Sequence, residues 1–166
     1  MAIGGDSTNV NTGWQAGVMQ WVEKKLGRRL VWLVCDLHTG ELPLRHLITE
    51  LDGPTLSNNK WSGPLGNMLD SATELDINNN FMKITVGHPL ISISEKVIKD
   101  LSTDQYYGYM IVSAIRSGEL SQRLAHLEIG PVCHSRWLTT ACRFCRILVS
   151  HHGLKGKNLT NLRLII

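Results

Sequence analysis

The sequence predicts an α/β half-core followed by a mostly helical region, and three observations carry that expectation. An acid, Asp6, stands in a small polar turn just ahead of a helical pattern. A nearly continuous apolar run, Arg-Leu-Val-Trp-Leu-Val-Cys over 29–35, follows that pattern with the length and β-branching of a buried parallel strand. Beyond residue 52 the text changes to turn signals and then to amphipathic helices. The expected division is 1–52 for the half-core and 53–166 for the helical region.

The elements follow in order. Met1-Ala-Ile3 is too short to be the apolar strand that usually ends in an acid such as Asp6, so the sequence reads as starting inside a domain, with earlier strands upstream. Residues 12–26 predict a helix, with Trp14, Val18, Trp21, Val22 and Leu26 on its inner face, Asn11 or Thr12 as cap and Gly27 as stop. After the strand, 42–51 predict a second helix facing inward through Leu44, Leu47, Ile48 and Leu51, with Pro43 in its first turn. Asp52-Gly-Pro, Ser57-Asn-Asn, Ser62-Gly-Pro and Asn78-Asn-Asn mark turns, with a short helix expected over 64–71. Helices are expected over 94–101, over 104–117 between Asp104 and Gly118, and over 121–128. The last strong pattern is 135–151. Leu138, Ala141, Cys142, Cys145, Leu148 and Val149 form an apolar stripe, with Arg136, Thr139, Arg143 and Arg146 off it. The tail from Asn158 ends on Leu164-Ile-Ile, an apolar end that needs a partner surface.

Composition bounds the function. A chain of 166 residues with 43% hydrophobic and 19% charged residues can bury a core. The formal charge of +3 permits contact with nucleic acid without arguing for it, since Lys24, Lys25, Arg28 and Arg29 are the one basic cluster. No secretory signal and no apolar run of membrane-spanning length is present, so the expectation is an intracellular protein with no membrane partner and with free thiols. Walker A, Rossmann, Gly-x-Ser-x-Gly and His-Glu-x-x-His patterns are all missing from the sequence.

Each candidate site has a chemical and a plainer reading. Asp6 offers a hard oxygen to Mg2+ at a strand end, with Ser7, Thr8 and Asn9 in support. On spacing alone, a turn that caps the following helix is favoured. Cys35 and His38 form a Cys-x-x-His pair, which joined to Cys142 and Cys145 would make four zinc ligands. The second pair, however, lies on an apolar helical stripe, where cysteine acts as a small hydrophobe. Cys133-His134 lacks anything to orient the imidazole as a base. His151-His152 fits the favourable dipole at a helix end. Arg136 suits a phosphate or carboxylate contact, and Trp137 suits an anchor for the helix start.

Taken in order, Asp6-Ser-Thr-Asn, Cys35-x-x-His38 and Arg136-Trp137 resemble the hAT-type DNA transposase core, as do the phrases Glu41-Leu-Pro-Leu-Arg-His-Leu and His134-Ser-Arg-Trp-Leu-Thr-Thr. The resemblance spans most of the chain. It implies a partial RNase H-like fold, a βα half-core followed by a helical insertion-like region, and a nuclear location. In that family two Asp and one Glu hold two Mg2+ ions for strand cleavage and transfer. Asp6 matches the second acid, Cys35 and His38 the pair that follows it, and Arg136 and Trp137 the Arg-Trp of the insertion. The first Asp is then expected upstream of residue 1 and the Glu beyond the end, and no zinc-finger domain stands before the core. One acid cannot hold two metals against water. The expectation is therefore a transposase-derived protein without autonomous catalysis, with no cofactor, with weak and non-specific DNA contact, and with a protein partner or self-association. Two alternatives stand beside it: a zinc-stabilised interaction module using Cys35, His38, Cys142 and Cys145, and a Mg2+-dependent nuclease completed in trans.

Overall fold

The computed structural model describes residues 1–6, 8–57, 60–78, 80–85, 87, 90–132, 137–150 and 154–166, and of residues 36–39 the backbone only. It is a mixed α/β protein, mostly helical, with few and short strands.

The N-terminal residues form a strand after all. β1 (Ala2–Gly5) pairs in parallel with β2 (Val31–Val34), in a register that sets Ala2 against Val31 and Gly5 against Val34. Bonds from Val31 N to the Met1 carbonyl (3.3 Å) and from Cys35 N to the Gly5 carbonyl (2.8 Å) extend the ladder at both ends. Parallel pairing with β2 supplies the partner that so short a segment needs. The expectation of a buried strand over 29–35 is corrected. Val31 and Leu33 are 63% and 60% exposed, because among the described residues this sheet has two strands and β2 is not covered on both faces.

The single helix expected over 12–26 is two. α1 (Asn9–Thr12) is one turn long, and α2 (Val18–Leu26) starts after a turn. Gly13 and Gly17 cause the break. A Cβ on Gly13 would lie 2.5 Å from the Asn9 carbonyl oxygen, and one on Gly17 would lie 2.5 Å from both the nitrogen and the oxygen of Gly13. The break turns the expected inner face outward: Trp14 is 78% and Trp21 59% exposed, and Val18 and Leu26 are exposed too. Met19 is buried instead, its methyl group packed on the open side of Gly5. Gly27 ends α2 in the left-handed region, as its position predicts.

α3 (Asp36–Asp52) starts earlier than expected, so Pro43 lies inside the helix rather than in its first turn. Among its described side chains Ile48 and Glu41 are buried, whereas Leu47 is exposed. At its end the Asp52 carboxylate accepts from Leu65 N (3.0 Å) and Gly66 N (2.7 Å), which folds the next loop back onto the helix. A small antiparallel pair, β3 (Thr55–Ser57) with β4 (Lys60–Trp61), leads into a 3-10 turn at Gly66–Met68 where a helix over 64–71 was expected. That turn still buries Leu65 and Leu69.

α4 (Glu95–Asp100), α5 (Thr103–Ser117) and α6 (Gln122–Ala125) match their expected positions, α6 being shorter. Ser102, not Asp104, caps α5, in a capping box with Gln105. Gly118 ends α5 as predicted. α7 (Trp137–Ser150) is the centre of the core, packed against α5, α3 and α8 (Gly156–Ile165). The reading of a one-sided stripe on α7 is corrected. Phe144 and Ile147 are fully buried, and Thr139, Thr140, Arg143 and Arg146 are buried as well. The apolar tail finds its surface as α8: Leu162 is fully buried, and the Asn161 amide donates to the Leu51 carbonyl.

Candidate functional site

The geometry of β1 and β2 brings two of the singled-out residues to one place. Gly5 faces Val34 in the parallel ladder, so Asp6 and Cys35 are the next residues beyond the same carboxyl edge. In open α/β sheets ligand sites gather at that edge. The Asp6 Oδ1 atom accepts from Thr8 N (2.9 Å), from the Asn11 amide (2.8 Å) and from the Thr8 hydroxyl. One carboxylate oxygen thus gathers the donors of an Asx-type turn that leads up to Thr8, the N-cap of α1. Cys35 is a free, half-buried thiol at the N-cap of α3. The side chain of His38 lies outside the described residues, as do Cys133, His134, Arg136, His151 and His152.

Trp137 begins α7 and lies against α3. A Cβ on Gly40 would come within 3.1 Å of its indole nitrogen, so Gly40 makes room for the ring. The same ring lines a cavity of about 370 Å3 with Pro43, Leu44, Val112, Cys145 and Ile165. The tryptophan of the Arg-Trp pair is therefore a strut between α3 and α7.

Cys142 and Cys145 are free thiols buried in the core. Burial pushes the Cys142 thiol up to about 12, with the Asp104 carboxylate adding to the rise. Burial likewise raises Cys145, helped by Cys142 beside it. Zinc ligation needs the thiolate, which this setting disfavours. Among the described residues, no three His, Cys, Asp or Glu side chains group to hold a metal.

The buried arginines of α7 were not foreseen. Arg143 donates Nε to the Gly130 carbonyl (2.9 Å), Nη2 to Ile129 (3.4 Å), and Nη1 to Leu69 (2.5 Å) and Asp70 (3.1 Å). Arg146 donates Nη2 to the Leu75 carbonyl (2.9 Å). Burial lowers the pKa of Arg143, and Asp70 opposes the drop. Burial raises Tyr107 on α5, against the pull of Arg146. Cations three residues apart on an otherwise apolar helix were the available signal, since a forked guanidinium suits convergent carbonyls. Arg143 and Arg146 thus fasten loop carbonyls to α7.

Among the described residues, no helix is long and apolar enough to cross a membrane. Compared with known protein families, curated proteins and solved structures, the chain matches none.

Proposed function

We propose that the chain is transposase-derived, carries part of an RNase H-like core of the hAT type ahead of a helical insertion-like region, and contacts nucleic acid without cutting it unaided. The observation that supports this reading is the parallel β1–β2 pair with Asp6 and Cys35 beyond one carboxyl edge. The family resemblance calls for that order: acid after a strand, helix, neighbouring strand, then Cys-x-x-His.

The absence of unaided cleavage follows from chemistry. Two-metal phosphoryl transfer needs several carboxylates converging on a pair of ions. Here one oxygen of Asp6 already serves Thr8 and Asn11. Incubation of a labelled DNA duplex with the purified chain and Mg2+ is expected to yield no cleavage, for the wild type and for Asp6→Ala alike. Mg2+-dependent cleavage abolished by Asp6→Ala would replace this reading with that of a nuclease completed between copies of the chain.

A further inference from the structure

The outward turn of α2 leaves an exposed aromatic and basic segment. Trp14, ahead of α2, and Trp21, on it, are 78% and 59% exposed, and Lys24, Lys25, Arg28 and Arg29, in the last turn of α2 and just after it, are exposed as well. Trp21, Lys24 and Lys25 stand at i, i+3 and i+4 and share one face of the helix. The Lys25 ammonium lies over the Trp21 ring, 5.5 Å from its centre. An open hollow of about 250 Å3 adjoins Trp14, lined by Asn9, Gly13, Gln15 and Gly17.

Charge along this segment is one-sided. Between Gly13 and Cys35 there are four Lys and Arg against one acid, Glu23, so the segment holds a formal +3, as large as the excess of the whole chain. Glu23 does not answer those cations. Its Oε1 accepts from Leu30 N (2.6 Å) and from the Trp32 indole (3.1 Å), on the side of α2 that meets β2.

We propose that this face binds single-stranded nucleic acid, with bases stacked on Trp21 and Trp14 and phosphates held by Lys24, Lys25, Arg28 and Arg29. The proposal rests on the nucleic-acid part of the function proposed above and assigns it a surface. An exposed indole beside a cation is the pairing that single-strand binders use, because every unpaired base offers a π-face. A duplex hides those faces in its stack, so it would engage only the cations. An anionic membrane is the less suitable partner. Interfacial helices segregate their aromatic and basic residues onto opposite faces, whereas α2 presents Trp21 and Lys25 together.

The test is titration of the full chain with labelled oligothymidylate and with a duplex of equal length, following anisotropy and tryptophan fluorescence. The single strand is expected to bind several-fold more tightly than the duplex and to quench the fluorescence. Trp21→Ala, at an exposed position, should weaken single-strand binding roughly tenfold. Four phosphate contacts predict a slope of about −3 for log affinity against log salt, and Lys24→Gln with Lys25→Gln should make it shallower. Trp14→Ala gives a second reading of stacking outside the helix. Duplex binding equal to single-strand binding, and unchanged by Trp21→Ala, would overturn the assignment of this face while leaving nucleic-acid contact in place. Binding of neither oligonucleotide, including the case where phosphatidylserine vesicles are bound, would overturn the nucleic-acid reading itself.

Discussion

Arg143 ties two loops to one helix. Its guanidinium reaches the carbonyls of Leu69 and Asp70 on one side and of Ile129 and Gly130 on the other. Removing it leaves buried carbonyls without donors, each worth about 1–3 kcal/mol. Arg143→Ala is therefore expected to lower stability by about 3 kcal/mol or more in urea unfolding. Arg143→Lys should recover part of that loss, since an ammonium cannot fork between two loops. The arginine itself was visible in the sequence. Its burial was not, because its partners are main-chain oxygens more than seventy residues away in one loop, and no side-chain pattern announces a carbonyl. Asp6 is the opposite case. Its donors, Thr8 and Asn11, lie within five residues, and local spacing alone pointed to a turn. For Cys142 and Cys145 the apolar stripe predicted burial, and their raised thiols follow from it.

Among the elements, those with both a period and a stop were legible. α5 ends at Gly118 and α2 at Gly27, each in the left-handed conformation that glycine adopts without strain. The break between α1 and α2 was not legible. Gly13 and Gly17 each look tolerable inside a helical pattern, and only the close backbone approach shows that both are needed. This separates two kinds of glycine. Gly17→Ala sets a Cβ into backbone atoms 2.5 Å away, with no flexible side chain to yield, whereas a Cβ on Gly27 meets nothing within 4 Å. Gly27→Ala is expected to cost about 1 kcal/mol from backbone conformation alone. Gly17→Ala should cost more, about 1–3 kcal/mol, as overpacking does, and urea unfolding of the two variants compares them directly. α8 shows the remaining gap. Gly156, Asn158, Thr160 and Asn161 are weak helix formers, and the segment is helical because Leu162 and Asn161 dock on the body of the protein.

At the scale of the whole molecule, the alternation of helix and strand near the N-terminus and the helical remainder were both readable. What escaped the sequence was which of them would be buried. The apolar run over 29–35 carries the composition of a strand covered on both faces, yet Val31 and Leu33 stand exposed beside β1. The core has instead formed around α7, where buried arginines close the loops. The N-terminal unit is thus a thin parallel pair with an acid and a cysteine at its carboxyl edge, set beside a well-packed helical body.

The central claim is that Asp6, at the carboxyl edge of the β1–β2 pair, serves its own turn. The most direct test is thermal unfolding of the wild type, Asp6→Asn and Asp6→Ala, each with and without millimolar Mg2+. The structure predicts a loss of about 1 kcal/mol for Asp6→Ala, as for lost local hydrogen bonds, a smaller loss for Asp6→Asn, which keeps an acceptor oxygen, and no effect of Mg2+ on any of the three. A rise in wild-type melting temperature with Mg2+ that Asp6→Ala abolishes would mean that the folded chain binds the ion through this carboxylate, and would contradict the claim.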